Sequence, residues 1–297
     1  MRYEWAGSLA RLGHLLDVQP KLDSVVIFEK NLEKSFSEFL SVDLCRGKRT
    51  VEEKLYYLRR FLEWLRAEGF IEVDNETVRS YLKSLDASKT ATYINTLKFL
   101  RVFFKQFLRR PEIVQSFQFP RQSFKPRTVY SREQLLAFYN VIDSDIGRAL
   151  FLMYASSGLR KNEVLTLKRG EVDAENRMVM PSCHSGRTKQ SYVSFYNAEA
   201  ERLLDQLEPK TEKLFPISDK QFRRIWNEAK AGTGLNITAQ RLREWFCDEM
   251  SRLGVADRYI DAFCGRTPKS VLAKHYSDYS PEKLKAIYEK ANLKILT

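Results

Sequence analysis

Several common signatures are missing from this chain of 297 residues. Its four cysteines, Cys45, Cys183, Cys247 and Cys264, include no CxxC pair, which argues against a structural zinc site. Its three histidines, His14, His184 and His275, stand far apart. No cluster of paired aspartates resembles a two-metal site either, so no metal is expected. Neither GxGxxG nor GxxxxGK[ST] occurs; nucleotide and dinucleotide cofactors are therefore not expected. No uninterrupted apolar run approaches the roughly 18 residues of a membrane span. Glu4, Arg11 and Asp17 also keep the N-terminus from reading as a signal peptide. A cytoplasmic location with reduced cysteines follows, and there is no internal repeat.

What the chain has in excess is positive charge. Its 50 Lys and Arg outnumber 38 Asp and Glu, for a net charge of +12, which favours a polyanionic partner such as nucleic acid. A hydrophobic fraction of 43% is enough for sizeable cores, and the length suits two domains or one large one.

The first 23 residues carry little signal. An apolar–charged pattern predicts a helix from Ser24 to Phe39, and Arg46 to Arg49 (RGKR) reads as a basic loop. Val51, Leu55, Leu58, Leu62 and Leu65 recur at steps of three and four, one face of an amphipathic helix over Thr50 to Ala67. A shorter helix is expected over Asn75 to Leu85, and another over Thr90 to Leu108, with Tyr93, Leu97, Leu100, Phe104 and Phe107 on one face. Residues 24–115 therefore read as a small helical bundle. Lys98, Arg101, Lys105, Arg109, Arg110, Arg121, Lys125 and Arg127 face a single acid, Glu112. With three prolines between Pro111 and Pro126, residues 116–130 read as a basic linker suited to lie along phosphates.

A second domain, residues 131–297, opens at Ser131, which with Gln134 forms a capping-box pattern. A strongly apolar helix over Ile146 to Tyr154 should be buried and end near Gly158. Asn162 to Leu167 is a short helical run. Arg177 to Met180 and Ser191 to Phe195 read as two strands joined by a polar loop. Helices follow at Ala198 to Leu207, Lys220 to Ala231, Ala239 to Leu253, Arg258 to Phe263 and Pro281 to Ala291. The fold class is thus mainly α with a small β-sheet.

A scattered polar set in this second half carries chemistry. Arg160 follows a buried helix and a glycine turn; its planar fork suits two phosphate oxygens, with Glu163 placed to orient it. Arg243 is expected at the edge of the buried stripe Leu242, Phe246 and Leu253, with Gln240 on the same face as a neutral donor. Lys189, in a polar loop with His184, Ser185 and Arg187, can protonate a leaving oxygen, and Arg187 is a rival for that role. Tyr276, beside His275, can act as a nucleophile once arginines stabilise its phenolate. Tyr279 lies only three residues on.

In order and local context these residues resemble the tyrosine recombinase (phage integrase) family. SSGLRKNEVLTLKRGEVD, Ser156 to Asp173, is similar to the first arginine box, with Arg160 as its arginine. Lys189 matches the family's β-hairpin lysine. The second box, usually His-x-x-Arg, reads Gln240, Arg241, Leu242, Arg243; Arg266 stands where a histidine or tryptophan is usual; Tyr276 falls at the nucleophile. The form GRTPKSVLAKHY resembles archaeal virus and plasmid integrases. The resemblance implies a helical N-terminal (SAM-like) DNA-binding domain and an α+β catalytic domain. The catalytic set is then Arg160, Lys189, Gln240, Arg243, Arg266 and Tyr276, supported by Glu163 and His275. Double-stranded DNA is met by Arg46, Lys48, Arg49, Lys98, Arg101, Lys105, Arg121, Lys125, Arg127, Arg187 and Arg241. It also implies a 3′-phosphotyrosyl intermediate, a Holliday junction, a homotetramer in synapsis and work at the nucleoid. A type IB topoisomerase, or a DNA-binding protein that has lost catalysis, are the competing readings. The C-terminal helix, with Leu284, Ile287 and Tyr288 on one side, has two expected partners: a neighbouring protomer or its own domain.

Overall fold

The computed structural model describes residues 25–26, 31–86, 90–121, 128–182, 192–208, 211–266 and 277–297. The chain divides into two compact units, Met1–Lys125 and Pro126–Thr297.

The first unit is helical. Helix α1 (Leu32–Glu38) runs into a π-helical turn, Phe39–Asp43, and is followed by α2 (Lys48–Ala67), α3 (Asn75–Ser84) and α4 (Thr90–Leu100). The last of these widens into a π-helical segment, Arg101–Phe107, where a continuous helix to Leu108 was expected. The α2 stripe buries Val51, Leu58, Phe61, Leu62 and Leu65, as its spacing dictates. Asp74 caps α3, its carboxylate accepting from the Thr77 N–H at 2.8 Å. Phe36, Phe61, Phe99, Phe103 and Phe104 are fully buried. Several of these pairs meet edge to face, as between Phe36 and Phe103 at 5.2 Å, while Phe99 and Phe103 stack at 5.7 Å, both arrangements that ring quadrupoles favour. Each such ring contributes roughly 1.5–3 kcal/mol by leaving water.

Three expectations in this unit are corrected. The helix foreseen from Ser24 starts only at Leu32; Val25–Val26 (β1) pairs antiparallel with Glu72–Val73 (β2), a two-residue ladder that β-branched valines suit. Lys48 and Arg49 belong to the first turn of α2 rather than to a loop. The stretch after Pro111 does not start as a strap: Ile113, Val114 and Phe117 sit in the aromatic core, and Asn75 Nδ2 donates to the Ile113 carbonyl at 3.0 Å.

The second unit is built around α6 (Asp145–Ser157), whose residues from Ala149 to Ser157 are all buried. Before it lies α5 (Arg132–Asn140), opened by the Ser131–Gln134 capping box. After it come α7 (Lys161–Leu165) and a three-stranded antiparallel sheet, β3 (Val172–Asp173), β4 (Met178–Val179) and β5 (Ser194–Phe195), in the order β3-β4-β5. Val172 pairs with Val179 and Met178 with Phe195. The sheet is open, and β3 adds to the two strands the sequence predicts. The helices α8 (Ala198–Asp205), α9 (Asp219–Thr233), α10 (Ala239–Arg252), α11 (Asp257–Phe263) and α12 (Pro281–Ala291) complete the unit. Helix α12 packs within its own unit: Leu284, Tyr288 and Ala291 are buried, and the Tyr288 hydroxyl donates to the Ser156 carbonyl at 2.8 Å. Among the described residues no helix is long and apolar enough to cross a membrane.

Candidate active site

The end of α6 sets up the site. Gly158 terminates the helix with φ +64°, a left-handed conformation that glycine adopts without strain. A Cβ there would lie 2.4 Å from the Phe246 ring, so the close approach of α10 also requires glycine. The chain then enters α7 with Arg160 at the N-cap. Glu163, buried in the first turn, accepts twice from Arg160: from its main-chain N–H at 2.7 Å and from Nη1 at 2.6 Å. This clamp is the one the sequence suggests, and it holds the guanidinium against the first turn of α7. Arg160 Nη2 donates to the Gly265 carbonyl at 3.3 Å.

Arg243 lies deeper than a boundary residue. Only 4% of it is exposed, against the expectation of a stripe-edge side chain. Its Nη1 donates to the Gly158 carbonyl at 2.5 Å and its Nη2 to the Cys264 carbonyl at 2.7 Å. Main-chain carbonyls fix the fork without cancelling its charge. Burial lowers its pKa from the ordinary arginine value; the sulfur of Cys264 opposes that shift, and nearby Arg160 and Arg266 add to it. An arginine nonetheless stays charged at neutral pH.

Arg266 ends the turn that follows α11. Its Nη1 donates to Asp261 at 2.8 Å and its Nη2 to Cys247 Sγ at 3.8 Å. Partial burial works against its charge, but Asp261 and the two cysteines outweigh this, and its pKa is raised. Three consecutive residues therefore organise three arginines: the Cys264 carbonyl holds Arg243, the Gly265 carbonyl holds Arg160, and Arg266 presents its own guanidinium. Gly265 makes this turn with φ +56°, again left-handed. The result is a concentrated positive site suited to a tetrahedral oxyanion.

The other expected site residues divide into three groups. Gln240 is exposed on α10, where its amide donates to Glu244 at 3.4 Å. Arg241 pairs with the same carboxylate at 2.8 Å. In the first unit Arg46, Lys48, Arg49, Lys98 and Lys105 are exposed, as is Arg121. Arg46 and Lys98 are close enough to Lys54 to lower its pKa, after the larger effect of its burial. Arg101 is instead an internal tie: Nη2 donates to the Phe117 carbonyl at 2.5 Å and the guanidinium lies 4.5 Å from the Phe119 ring. Lys125, Arg127, His184, Arg187, Lys189, His275 and Tyr276 lie outside the described residues.

Sequence reasoning missed Cys247 and Cys264, whose sulfurs approach to 3.4 Å beside the arginines. The signal was present. Cys247 stands four residues after Arg243 on one helix face, and Cys264 two before Arg266.

Residues 129–283 match the Phage integrase family. The chain belongs to the phage integrase family. Among its relatives is the tyrosine recombinase XerA of Thermococcus onnurineus (strain NA1), 24% identical over 276 residues, covering 84% of this chain and 91% of the relative. The fold is that of a lambda integrase dimer bound to a COC′ core site, with TM-score 0.63 at 14% identity over 91% of this chain and 80% of that one. It is also that of the Tn1549 transposon integrase (residues 82–397) in complex with circular intermediate DNA, with TM-score 0.60 at 15% identity over 86% and 97% of the two chains.

Proposed function

We propose that this integrase-family protein is a site-specific DNA recombinase that cuts and rejoins strands through a covalent tyrosine link. The observation that carries this reading is the convergence of Arg160, Arg243 and Arg266 on the Cys264–Arg266 turn. Their guanidiniums would bind the non-bridging oxygens of the scissile phosphate and offset charge growing on the phosphorane. Tyr276 attacks phosphorus through its phenolate oxygen; a new O–P bond forms and the bond to the 5′-oxygen breaks. Lys189 gives that oxygen its proton, leaving a 3′-phosphotyrosine and a free 5′-hydroxyl. The 5′-hydroxyl of a partner strand then reverses the step. Two rounds pass through a Holliday junction held by a tetramer.

Glu163 acts by positioning Arg160. Gln240 can bind the phosphate but its amide is neither an acid nor a base, so more of the proton transfer rests on Lys189. His275 supports the tyrosine. The exposed Arg46, Lys48, Arg49, Lys98 and Lys105, with Lys125 and Arg127, would contact the DNA backbone without reading sequence. Family membership supports strand exchange over relaxation of supercoils, and GRTPKSVLAKHY supports a role in archaeal mobile DNA, exercised in the cytoplasm at the nucleoid.

The test is a nicked duplex carrying the cognate site, incubated without metal. The expected result is a denaturant-stable protein–DNA adduct mapped to Tyr276 and absent in Tyr276→Phe. Tight binding of verified site DNA with no adduct would reject the enzymatic reading in favour of a DNA-binding protein. Relaxation of plasmid lacking any site would favour a topoisomerase.

A further inference from the structure

We propose that Cys247 and Cys264 form a redox-active dithiol whose oxidation to a disulfide disables the arginine cluster. The inference rests on the reading of that cluster as the phosphate site, and it adds a control that the strand-transfer chemistry does not use.

The geometry is specific. The two sulfurs lie 3.4 Å apart, on residues separated by 17 positions. One is on α10, four residues beyond Arg243; the other is in the turn that holds the arginines. Cys264 is fully buried, whereas Cys247 is half-buried and reachable. Cys247 also has a cationic neighbour, Arg266 Nη2 at 3.8 Å. Its thiol is acidified to about 7, first by the hydrogen bond from Cys264, against its burial, and then by Arg266 and Arg243. The buried partner is pushed the opposite way, well above the ordinary thiol value, by donating that hydrogen bond and by its burial. One sulfur is therefore poised as the nucleophile and the other as the resolving thiol.

The chemistry balances with a hydroperoxide as oxidant. The Cys247 thiolate attacks one peroxide oxygen and the O–O bond breaks, giving a sulfenic acid at Cys247; with hydrogen peroxide the other product is hydroxide, which takes up the proton the thiol released and becomes water. The Cys264 sulfur then attacks the Cys247 sulfur, its proton leaving with the hydroxyl as a second water. Two thiols lose two electrons and two protons, and one peroxide is reduced to two waters.

The consequence for the site follows from connectivity. The sulfurs must close from 3.4 Å to the roughly 2.0 Å of a disulfide. Any shift of the Cys264 main chain as the bond closes is passed to both arginines, because its carbonyl holds Arg243 and the next carbonyl holds Arg160. Oxidation also turns the Cys247 sulfur that faces Arg266 into half of a disulfide, a weaker acceptor that carries no charge. All three guanidiniums thus lose part of their support in one event.

The full-length protein is treated with hydrogen peroxide, capped with iodoacetamide and mapped without reduction, then assayed for adduct formation on the nicked duplex. The expected result is a Cys247–Cys264 cross-linked peptide, with a fall of about tenfold or more in adduct rate. Dithiothreitol should restore the rate, and Cys247→Ala should respond to peroxide far less than the unsubstituted protein does. Recovery of both residues as alkylated thiols after peroxide would overturn the proposal. So would a cross-link that leaves the adduct rate unchanged, or an equal peroxide loss in Cys247→Ala. If the reduced protein makes no adduct, the recombinase reading fails separately. The readout then becomes the nitrogen-15 resonances of the Arg243 and Arg266 side chains, which must shift on oxidation; unshifted resonances beside a formed cross-link would reject the coupling.

Discussion

The two units bury different things. The first hides phenylalanines and, among its described residues, only Thr77 and Thr96 as buried polar side chains. The second hides Ser156, Ser157, Glu163, Ser194, Asn197, Arg243 and Glu249. Buried polar and charged groups cost free energy unless every one is bonded. The second unit ties these side chains down: Ser194 Oγ donates to the Ser157 carbonyl at 2.6 Å, Asn197 Nδ2 to the Leu293 carbonyl at 3.2 Å, and Glu249 accepts from Arg132 and Arg252, although Arg148 Nε, Trp226 Nε1 and the Tyr279 hydroxyl are buried with no hydrogen-bond partner among the described residues. Stability alone is better served by the first design. The second spends some of that stability to hold charges in fixed positions, which is what a reaction site requires.

The sharpest way to break this contrast is to damage each unit in its own currency. Phe103→Ala removes a fully buried ring and should destabilise the first unit by about 3–5 kcal/mol. Chemical denaturation would read this, and the second unit should keep its own transition. Arg243→Ala should slow adduct formation by about 100- to 1,000-fold, the scale of losing one preorganised donor. Single-turnover assays at saturating DNA measure it, and a loss confined to binding would contradict the role. Gly158→Ala forces a methyl into the Phe246 ring at a left-handed residue and should cost about 2–4 kcal/mol. Thermal unfolding would show this together with reduced cleavage, since the Gly158 carbonyl anchors Arg243. The smallest effect belongs to Lys98→Ala on the first unit's surface. It should weaken DNA binding alike on all sequences and lower the salt-dependence slope by about 1. A change in sequence preference would make Lys98 a base reader instead.

Periodic apolar patterns made most of the helices legible. The α2 stripe from Val51 to Leu65, the Ser131–Gln134 cap and the stop at Gly158 all follow from local rules, and α12 spans Pro281–Ala291 as predicted. Two kinds of feature escaped. Val25–Val26 was absorbed into a helix because its strand partner lies far along the chain at Glu72–Val73. The π-helical turns at Phe39 and Arg101 leave no mark in a 3.6-residue period. In the site, Glu163 was readable from its spacing to Arg160. The burial of Arg243 was not, because its partners are main-chain carbonyls, which carry no residue signature. Arg101 has the same explanation: a basic residue reads as solvent-facing until the Phe117 carbonyl claims it.

The turn from Cys264 to Arg266 has a consequence for the timing of synthesis. Arg160 waits for a carbonyl 105 residues downstream, and Arg243 for one 85 residues behind it and another 21 ahead. Contacts this distant form only after the intervening chain is available to close on itself. A chain still emerging from the ribosome can close the aromatic core of its first unit, all of which lies before Lys125. It lacks a completed arginine cluster until the residues around Gly265 have left the exit tunnel, so these guanidiniums take up their held positions only late in synthesis.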